Sequence, residues 1–204
     1  GEVGVREHRG EAAYRGIIGS MLEEADRLAT LVDRLLTLSR AETGQVTRSS
    51  HVFDLSVLAQ EVAGHLDVLA EEKHQSIVVG PGATQMAYAD REAVRQALIN
   101  LVDNAIKFSP EGSRILIRPA TSAGTATLDV VDYGAGIDGV ARSRIFERFY
   151  RASDVLGGAN GAGLGLPIAR GAVEASGGRL TLVASGADGS TFRIELPRAD
   201  PAPA

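Results

Sequence analysis

The chain of 204 residues contains no cysteine and no tryptophan, and aromatic residues make up only 4% of it. The lack of cysteine excludes disulfides and thiolate metal sites and suits a reducing cytoplasm. A net charge of −5 argues against a general nucleic-acid binder, and the few aromatic residues argue against a stacking platform for single strands. No apolar run approaches the roughly 20 residues of a membrane span, and no secretory leader opens the chain. We therefore expect these 204 residues to be soluble and cytoplasmic.

An amphipathic pattern predicts one long helix over residues 11–43, followed by a polar linker over 44–50. On a heptad frame its apolar positions form a stripe wider than a two-stranded seam, which is typical of a four-helix bundle. The stripe contains Ile18, Met21, Ala25, Leu28, Leu31, Val32, Leu35 and Leu38. Because one helix cannot bury such a stripe alone, the pattern implies a partner chain or further sequence.

Beyond the linker, strand and helix patterns alternate, which predicts one α+β domain over residues 51–197 and a solvated tail over 198–204. Predicted strands lie near 51–53, 75–79, 84–88, 114–118, 125–131, 178–184 and 190–196, and predicted helices over about 55–73, 91–108 and 165–176. Asp90 is a good N-cap for the second of these helices. The glycine-rich stretch 134–163 is too long for a passive connection, so we interpret it as a lid.

The predicted helix 91–108 places Asn100, Asn104 and Lys107 on one face, because they are spaced by four and three residues. An asparagine carbonyl is a suitable oxygen ligand for Mg²⁺, and a lysine one turn later supplies a charge for phosphate. An ordinary amphipathic helix with a polar outer face would give the same pattern. The motif alone therefore leaves both interpretations open.

Asp132, Gly134 and Gly136 follow the apolar strand that ends near Val131. A buried carboxylate at a strand end can accept a hydrogen bond from the exocyclic amine of adenine, which guanine does not offer. Glycine lets the backbone approach a ring without a Cβ clash. A plain turn, where Asp and Gly are common, is the alternative.

A second glycine-rich segment runs from Gly161 through Gly163, Leu164, Gly165 and Leu166 to Pro167. Proline belongs in the first turn of a helix, so the glycines lead into a helix N-terminus, whose N–H groups favour phosphate. A Rossmann loop is a poor alternative, because it would open the first strand–helix unit of a domain.

Taken in order, these segments and Ile145–Arg151 (Ile-Phe-Glu-Arg-Phe-Tyr-Arg) resemble the nucleotide-binding domain of sensor histidine kinases. The resemblance implies a two-layer α/β sandwich, with helices on one face of a mixed, mostly antiparallel sheet, preceded by part of a dimerisation hairpin over residues 1–43. It also implies ATP and Mg²⁺ as ligands, with Asn104 at the metal, Lys107 on phosphate, Phe108 beside the base and Asp132 reading adenine. The full nucleotide-binding set that it implies is Asn100, Asn104, Lys107, Phe108, Asp132, Gly134, Gly136, Ile137, Phe149, Arg151, Gly161, Gly163, Leu164, Gly165 and Leu166.

Asn100 stands where gyrase-type ATPases of the same superfamily carry a carboxylate that activates water. Because an amide cannot accept that proton, the residue favours a kinase over an ATPase. None of the chain's histidines lies in a His-Glu-x-x-x-Pro-like acceptor segment; they are His8, His51, His65 and His74. We therefore expect the acceptor histidine to lie outside this chain, just upstream of Gly1.

The resemblance further implies a membrane-bound parent sensor that dimerises through the helical hairpin and passes the phosphoryl group to a response regulator. Any membrane contact would come through segments outside this chain. Two alternatives remain. An anti-sigma factor serine kinase lacks a helix such as 11–43, and a non-catalytic nucleotide-binding scaffold is disfavoured by the intact motif residues.

Overall fold

The structure is a computed structural model and describes residues 49–81, 84–122, 124–150 and 163–199. Seven strands and four helices lie within these ranges. In chain order they are β1 (Ser50–Asp54), α1 (Leu55–Glu71), β2 (Ser76–Val79), β3 (Met86–Asp90), α2 (Arg91–Phe108), β4 (Arg114–Ser122), β5 (Thr125–Asp132), α3 (Gly139–Arg142), α4 (Gly165–Ala175), β6 (Arg179–Gly186) and β7 (Gly189–Pro197). The predicted helix 11–43, most of the linker 44–50 and residues 200–204 lie outside the described residues.

Five strands form the main sheet in the order β2-β4-β5-β7-β6. The β2–β4 pair is parallel and the other three pairs are antiparallel, which confirms the predicted mixed, mostly antiparallel sheet. Strands β1 and β3 form a separate antiparallel pair. The sequence did not reveal that the predicted first strand belongs to a second, smaller sheet.

The two faces of the main sheet differ in character. Along β5, Ala126, Leu128 and Val130 are buried and join the core that α1, α2 and α4 cover. The opposite face carries Asp129, which accepts two hydrogen bonds from Arg193 of β7 at 2.6 and 2.8 Å. Alternation of apolar and charged side chains therefore confirms the predicted two-layer sandwich with helices on one face.

Aspartate caps fix where the first two helices begin. Asp54 accepts a hydrogen bond from the Ser56 backbone N–H, and Asp90 accepts from the backbone N–H groups of the second and third residues of α2. Asp54 also accepts from the backbone N–H of Gln85, whose carbonyl accepts from Leu55. The sequence predicted that β3 begins near residue 84. Because the backbone of Gln85 is used in these bonds, the strand begins at Met86 instead.

The chain stays hydrogen-bonded beyond β7. Arg198 forms a bridge with Ala87, and the backbone N–H of Ala199 donates to the carbonyl of Met86 at 3.0 Å. The predicted tail of residues 198–204 therefore began two residues too early, because these residues tie the main sheet to the smaller one. Within the described ranges, no helix is long and apolar enough to span a membrane.

Candidate nucleotide-binding site

The last three turns of α2 carry the polar residues singled out in the sequence. Asn100 is 6% exposed, and its amide Nδ2 has no hydrogen-bond partner among the described residues. A buried donor without a partner is costly, and such groups are rare in native proteins. The amide of Asn100 therefore fits a site that a ligand or water completes.

Asn104 lies one turn further along α2 and faces the start of α4. A Cβ atom built on Gly165 would lie 3.7 Å from Asn104 Nδ2 and 3.9 Å from its Oδ1. The residue before α4, Leu164, provides no side-chain cap. The first-turn N–H groups of α4 therefore lie beside the Asn104 amide, where they provide positive potential for an anion.

Lys107 lies on the same side of α2 and is held by a carboxylate. Its Nζ is 2.5 Å from Oδ2 of Asp103, at the i,i+4 spacing that suits an ion pair on a helix. Both side chains are partly buried. Asp103 had not been identified from the sequence, although a carboxylate four residues before a lysine is a readable signal.

Asp132 ends β5 as a carboxylate that is 9% exposed. Burial raises its pKa above the usual range, and hydrogen bonds from the backbone N–H groups of Gly134 and Ser190 partly offset that rise. Both bonds reach Oδ1, at 2.9 and 3.1 Å. No hydrogen bond to the other oxygen, Oδ2, is found within the described part of the chain, which suits it to accept from a bound base.

The turn after Asp132 packs closely on two neighbouring backbones. A Cβ on Gly134 would lie 2.6 Å from the carbonyl oxygen of Phe108, and a Cβ on Gly136 would lie 2.0 Å from that of Gly186. The φ of Gly136 is +73°, a left-handed conformation that disfavours other residues. The glycines thus permit contact between the turn, the end of α2 and the β6–β7 hairpin.

Ile137 fastens this turn through its backbone. Its N–H donates to Ser185 Oγ at 2.7 Å, and Ser185 Oγ lies 3.0 Å from Ser190 Oγ. Arg142 donates to the carbonyls of both Ile137 and Ser185. The sequence predicted only two strands here, near 178–184 and 190–196, whereas in the structure the hairpin that they form is a wall of the Asp132 region. Only long-range pairing of β5 with β7 reveals this.

The two phenylalanines of the predicted lid occupy different environments. Phe146 packs edge-on against Phe192, with ring centroids 6.4 Å apart, and the Arg170 guanidinium lies 5.2 Å from its ring centre. Phe149 is 63% exposed and has a φ of +62°. Phe146 therefore anchors the segment to the core, whereas the ring of Phe149, a member of the implied nucleotide-binding set, lies largely in solvent.

The remaining predicted site residues divide by placement. Leu164 is fully buried, so only its backbone can face a ligand, and Leu166 is partly buried against the core. Gly163 has a φ of +66°, and its carbonyl accepts from the N–H of Phe149 at 3.1 Å. Phe108 is 53% exposed at the end of α2. Arg151 and Gly161 lie outside the described residues.

These groups fit a magnesium nucleotide. The buried Asp132 suits the amine of a base, the N-terminus of α4 and Lys107 suit phosphates, and the Asn104 carbonyl is an oxygen donor that Mg²⁺ accepts. No cluster of three or more histidine, cysteine or acidic side chains that could hold a metal occurs in the described ranges. A metal here would therefore depend on phosphate and water oxygens together with the asparagine.

Comparison with known proteins identifies a family and several relatives of this chain. The family described as "Histidine kinase-, DNA gyrase B-, and HSP90-like ATPase" matches residues 89–200, just over half of the 204 residues. Sensor protein IrlS of Burkholderia pseudomallei (strain K96243) is 35% identical over 197 residues, which are 96% of this chain and 42% of that protein. The chain thus spans less than half the length of this curated relative.

Two solved structures are similar to this chain along most of its length. Full-length ShkA in complex with AMPPNP superposes with a TM-score of 0.80 at 30% identity, covering 93% of this chain and 40% of that one. The catalytic domain of histidine kinase ThkA gives a TM-score of 0.63 at 26% identity, covering 74% of this chain and 96% of that one.

The chain belongs to the family of histidine kinase-, DNA gyrase B- and HSP90-like ATPases. Within that family its relatives are sensor histidine kinases, and it carries the ATP-binding catalytic region of such a kinase.

Proposed function

We propose that this chain binds Mg²⁺-ATP between α2, α4 and Asp132 and transfers the γ-phosphoryl group to a histidine outside the chain. The observation that carries the proposal is the position of Asn104, whose amide lies against the N-terminus of α4, a helix without a side-chain cap. A metal ligand and an anion-binding helix terminus are thereby adjacent. Phosphoryl transfer depends chiefly on such positioning and charge stabilisation.

The residues of α2 would each contact a different part of the Mg²⁺-bound polyphosphate. Asn104 is the proposed metal ligand, and bound Mg²⁺ would neutralise charge on the phosphate oxygens. Lys107, paired with Asp103 in this structure, would supply an ammonium to the phosphates within the same turn. The backbone N–H groups that begin α4 would donate to the remaining phosphate oxygens, and Asn100 lies deeper, with a donor still to be satisfied.

Adenine would bind at the end of β5. Asp132 Oδ1 is already used by two backbone donors, so Oδ2 would accept from the exocyclic amine. The exposed ring of Phe108 offers an apolar surface beside it. The close approach of Gly134 to the Phe108 backbone brings these two elements together.

In the transfer, the bond from the γ-phosphorus to the β–γ bridging oxygen breaks and a P–N bond to imidazole forms, leaving ADP. The imidazole N–H proton is released to solvent. The amide of Asn100 cannot take a proton from water, which supports transfer over hydrolysis. His51, His65 and His74 are exposed, and none lies in an acceptor-type segment.

The parent protein would dimerise through the hairpin that includes residues 11–43. The phosphohistidine would then pass its phosphoryl group to an aspartate of a response regulator. Both partners are inferred from the relatives, which are sensor kinases and considerably longer than this chain.

The first experiment measures nucleotide binding by calorimetry with an ATP analogue. Affinity should depend on Mg²⁺ and fall at least tenfold in Asn104→Ala, because the metal loses a protein ligand. Arg95→Ala, on the same helix but paired with Glu92 at its start, is the control and should bind normally. An affinity of Asn104→Ala equal to that of the wild type would show that Asn104 is not a metal ligand.

The second experiment tests transfer. Labelled ATP should leave this chain unlabelled, whereas an acceptor-bearing helical hairpin added in trans should gain acid-labile label. Label on His8, His51, His65 or His74 would show that the acceptor lies within the chain. Tight binding with no transfer to any hairpin would support the scaffold alternative instead.

A further inference from the structure

Two side chains from the connection between α1 and β2 converge on the C-terminal turn of α2. We call them the α2 anchor: Lys73 and Gln75. Lys73 Nζ donates to the carbonyls of Ile106 and Lys107 at 2.8 and 3.1 Å. The Nε2 of Gln75 donates to three carbonyls, at 3.2, 3.0 and 2.9 Å, which belong to Ile106, Ser109 and Pro110.

The chemistry of a helix end explains why donors collect there. The last four carbonyls of a helix lack intrahelical donors, and the negative end of the helix dipole attracts a cation. Lys73 provides both a donor for two of these carbonyls and a positive charge at the negative end of the dipole. Gln75 is 4% exposed, so its amide is built into the interior and does not merely lie on the surface.

The anchor is itself held in place. The backbone N–H of Gln75 donates to the carbonyl of Ala70, and the N–H of Gly112 donates to the carbonyl of Lys73 at 3.0 Å. His74, between the two anchor residues, has a φ of +53°, so the chain turns sharply there. Neither donor can shift far without disturbing the α1–β2 connection and the start of β4.

The anchored turn is also the one that presents Lys107 and Phe108 to the nucleotide site. On its other side, the carbonyl of Phe108 lies within 2.6 Å of where a Gly134 Cβ would be. The end of α2 is thus enclosed between the anchor and the turn that follows Asp132. A shift of this turn would displace Lys107, the proposed phosphate contact. It would also push the Phe108 carbonyl against the turn that follows Asp132.

We propose that Lys73 and Gln75 are positioning residues for nucleotide binding, and that Lys73 acts through Lys107. The inference rests on the proposed function, in which Lys107 contacts phosphate. An ordinary helix cap would change stability alone, whereas a positioning residue changes affinity only while the residue that it positions is present.

A double-mutant cycle separates these two roles. Calorimetry with AMPPNP and Mg²⁺ compares the 204-residue chain with Lys73→Met, Lys107→Met and the double variant, each at a temperature where it is fully folded. Lys73→Met should weaken binding about fivefold in the wild-type background and less than twofold in the Lys107→Met background. An equal factor in both backgrounds, or no effect in the first, overturns the inference.

Two further variants complete the test. Lys73→Arg keeps donors for both carbonyls and should bind within twofold of the wild type. Arg91→Met removes the ion pair between the first residue of α2 and Glu61 of α1, and it should change stability without changing affinity. If Lys107→Met binds AMPPNP normally, the role of Lys107 in the proposed function fails together with the inference. Additive losses would overturn the inference alone.

Discussion

At the scale of single residues, Asp132 is the group where the proposed recognition of adenine conflicts with folding. Its carboxylate is buried at the end of β5, where desolvation disfavours the charged form and raises the pKa. The backbone N–H groups of Gly134 and Ser190 offset part of that cost. A charge that is costly in the free protein is thus available to a ligand that donates a hydrogen bond.

Replacing this charge by an amide should therefore stabilise the protein while impairing recognition. Asp132→Asn keeps an oxygen for both backbone donors, so we expect a gain of about 1 kcal/mol in the free energy of unfolding at pH 7. The preference for adenine over guanine nucleotides should fall, because an amide offers a weaker acceptor than a carboxylate. Urea unfolding and competitive nucleotide binding measure the two effects.

The pH dependence of that gain checks its cause. The pKa of Asp132 is raised on folding, so its stabilising contribution is complete below the unfolded pKa of about 3.9 and is lost as the pH rises through the folded value. The advantage of Asp132→Asn should therefore be absent near pH 4 and grow toward neutrality. Asp129→Asn on the same strand breaks the pair with Arg193 and should destabilise the protein at pH 7. A pH-independent gain in Asp132→Asn would exclude the electrostatic explanation.

At the scale of elements, the Asp132 turn and the β6–β7 hairpin depend on contact between two backbones. Gly136→Ala would place a Cβ 2.0 Å from the carbonyl oxygen of Gly186 at a φ of +73°. We expect it to cost about 2 kcal/mol or more of unfolding free energy and to weaken adenine binding. Gly139→Ala, three residues later, meets nothing within 4 Å and should be nearly neutral in the same urea titration. Equal stability of the two variants would show that the hairpin moves freely.

Elements were predictable from the sequence where local signals agreed. Helix α2 was predicted over residues 91–108 and has those bounds, because Asp90 caps it and its apolar spacing is regular. The start of β3 was misplaced, because the backbone of Gln85 bonds to Asp54 and Leu55 in a distant element. Local propensity contains no information about such long-range partners.

The candidate site shows the same division. The motif residues Asn104, Lys107 and Asp132 were identified from spacing and family resemblance, and the structure brings Asn104 beside α4. The supporting residues were not identified, since Ser185, Ser190 and Lys73 each support the site through a partner more than 30 residues away. The sequence therefore identifies the candidate ligand-binding groups, whereas the groups that hold them in place become visible only in the structure.

At the scale of the whole molecule, two segments differ in how they bury apolar side chains. The nucleotide domain buries its own core, whereas the apolar pattern of the preceding segment predicts burial against a partner. The core under the main sheet draws its residues from Phe53 to Leu196 and is covered by α1, α2 and α4. The predicted helix 11–43, by contrast, carries a stripe of eight apolar residues suited to a four-helix bundle. Each large aliphatic side chain that remains in water forgoes about 1.5–3 kcal/mol of burial.

We therefore expect the 204-residue chain to self-associate through residues 11–43. Light scattering should show an average mass that rises with concentration, and Leu28→Glu combined with Leu35→Glu should abolish the rise by placing charge in the stripe. Nucleotide affinity should survive that double change, because none of the proposed nucleotide-binding residues lies within residues 11–43. Val57→Glu with Val68→Glu, at two exposed apolar positions of α1, is the matched control and should leave association intact. A chain that stays monomeric at every concentration, with residues 11–43 protected from hydrogen exchange, would mean that the stripe packs on its own nucleotide domain.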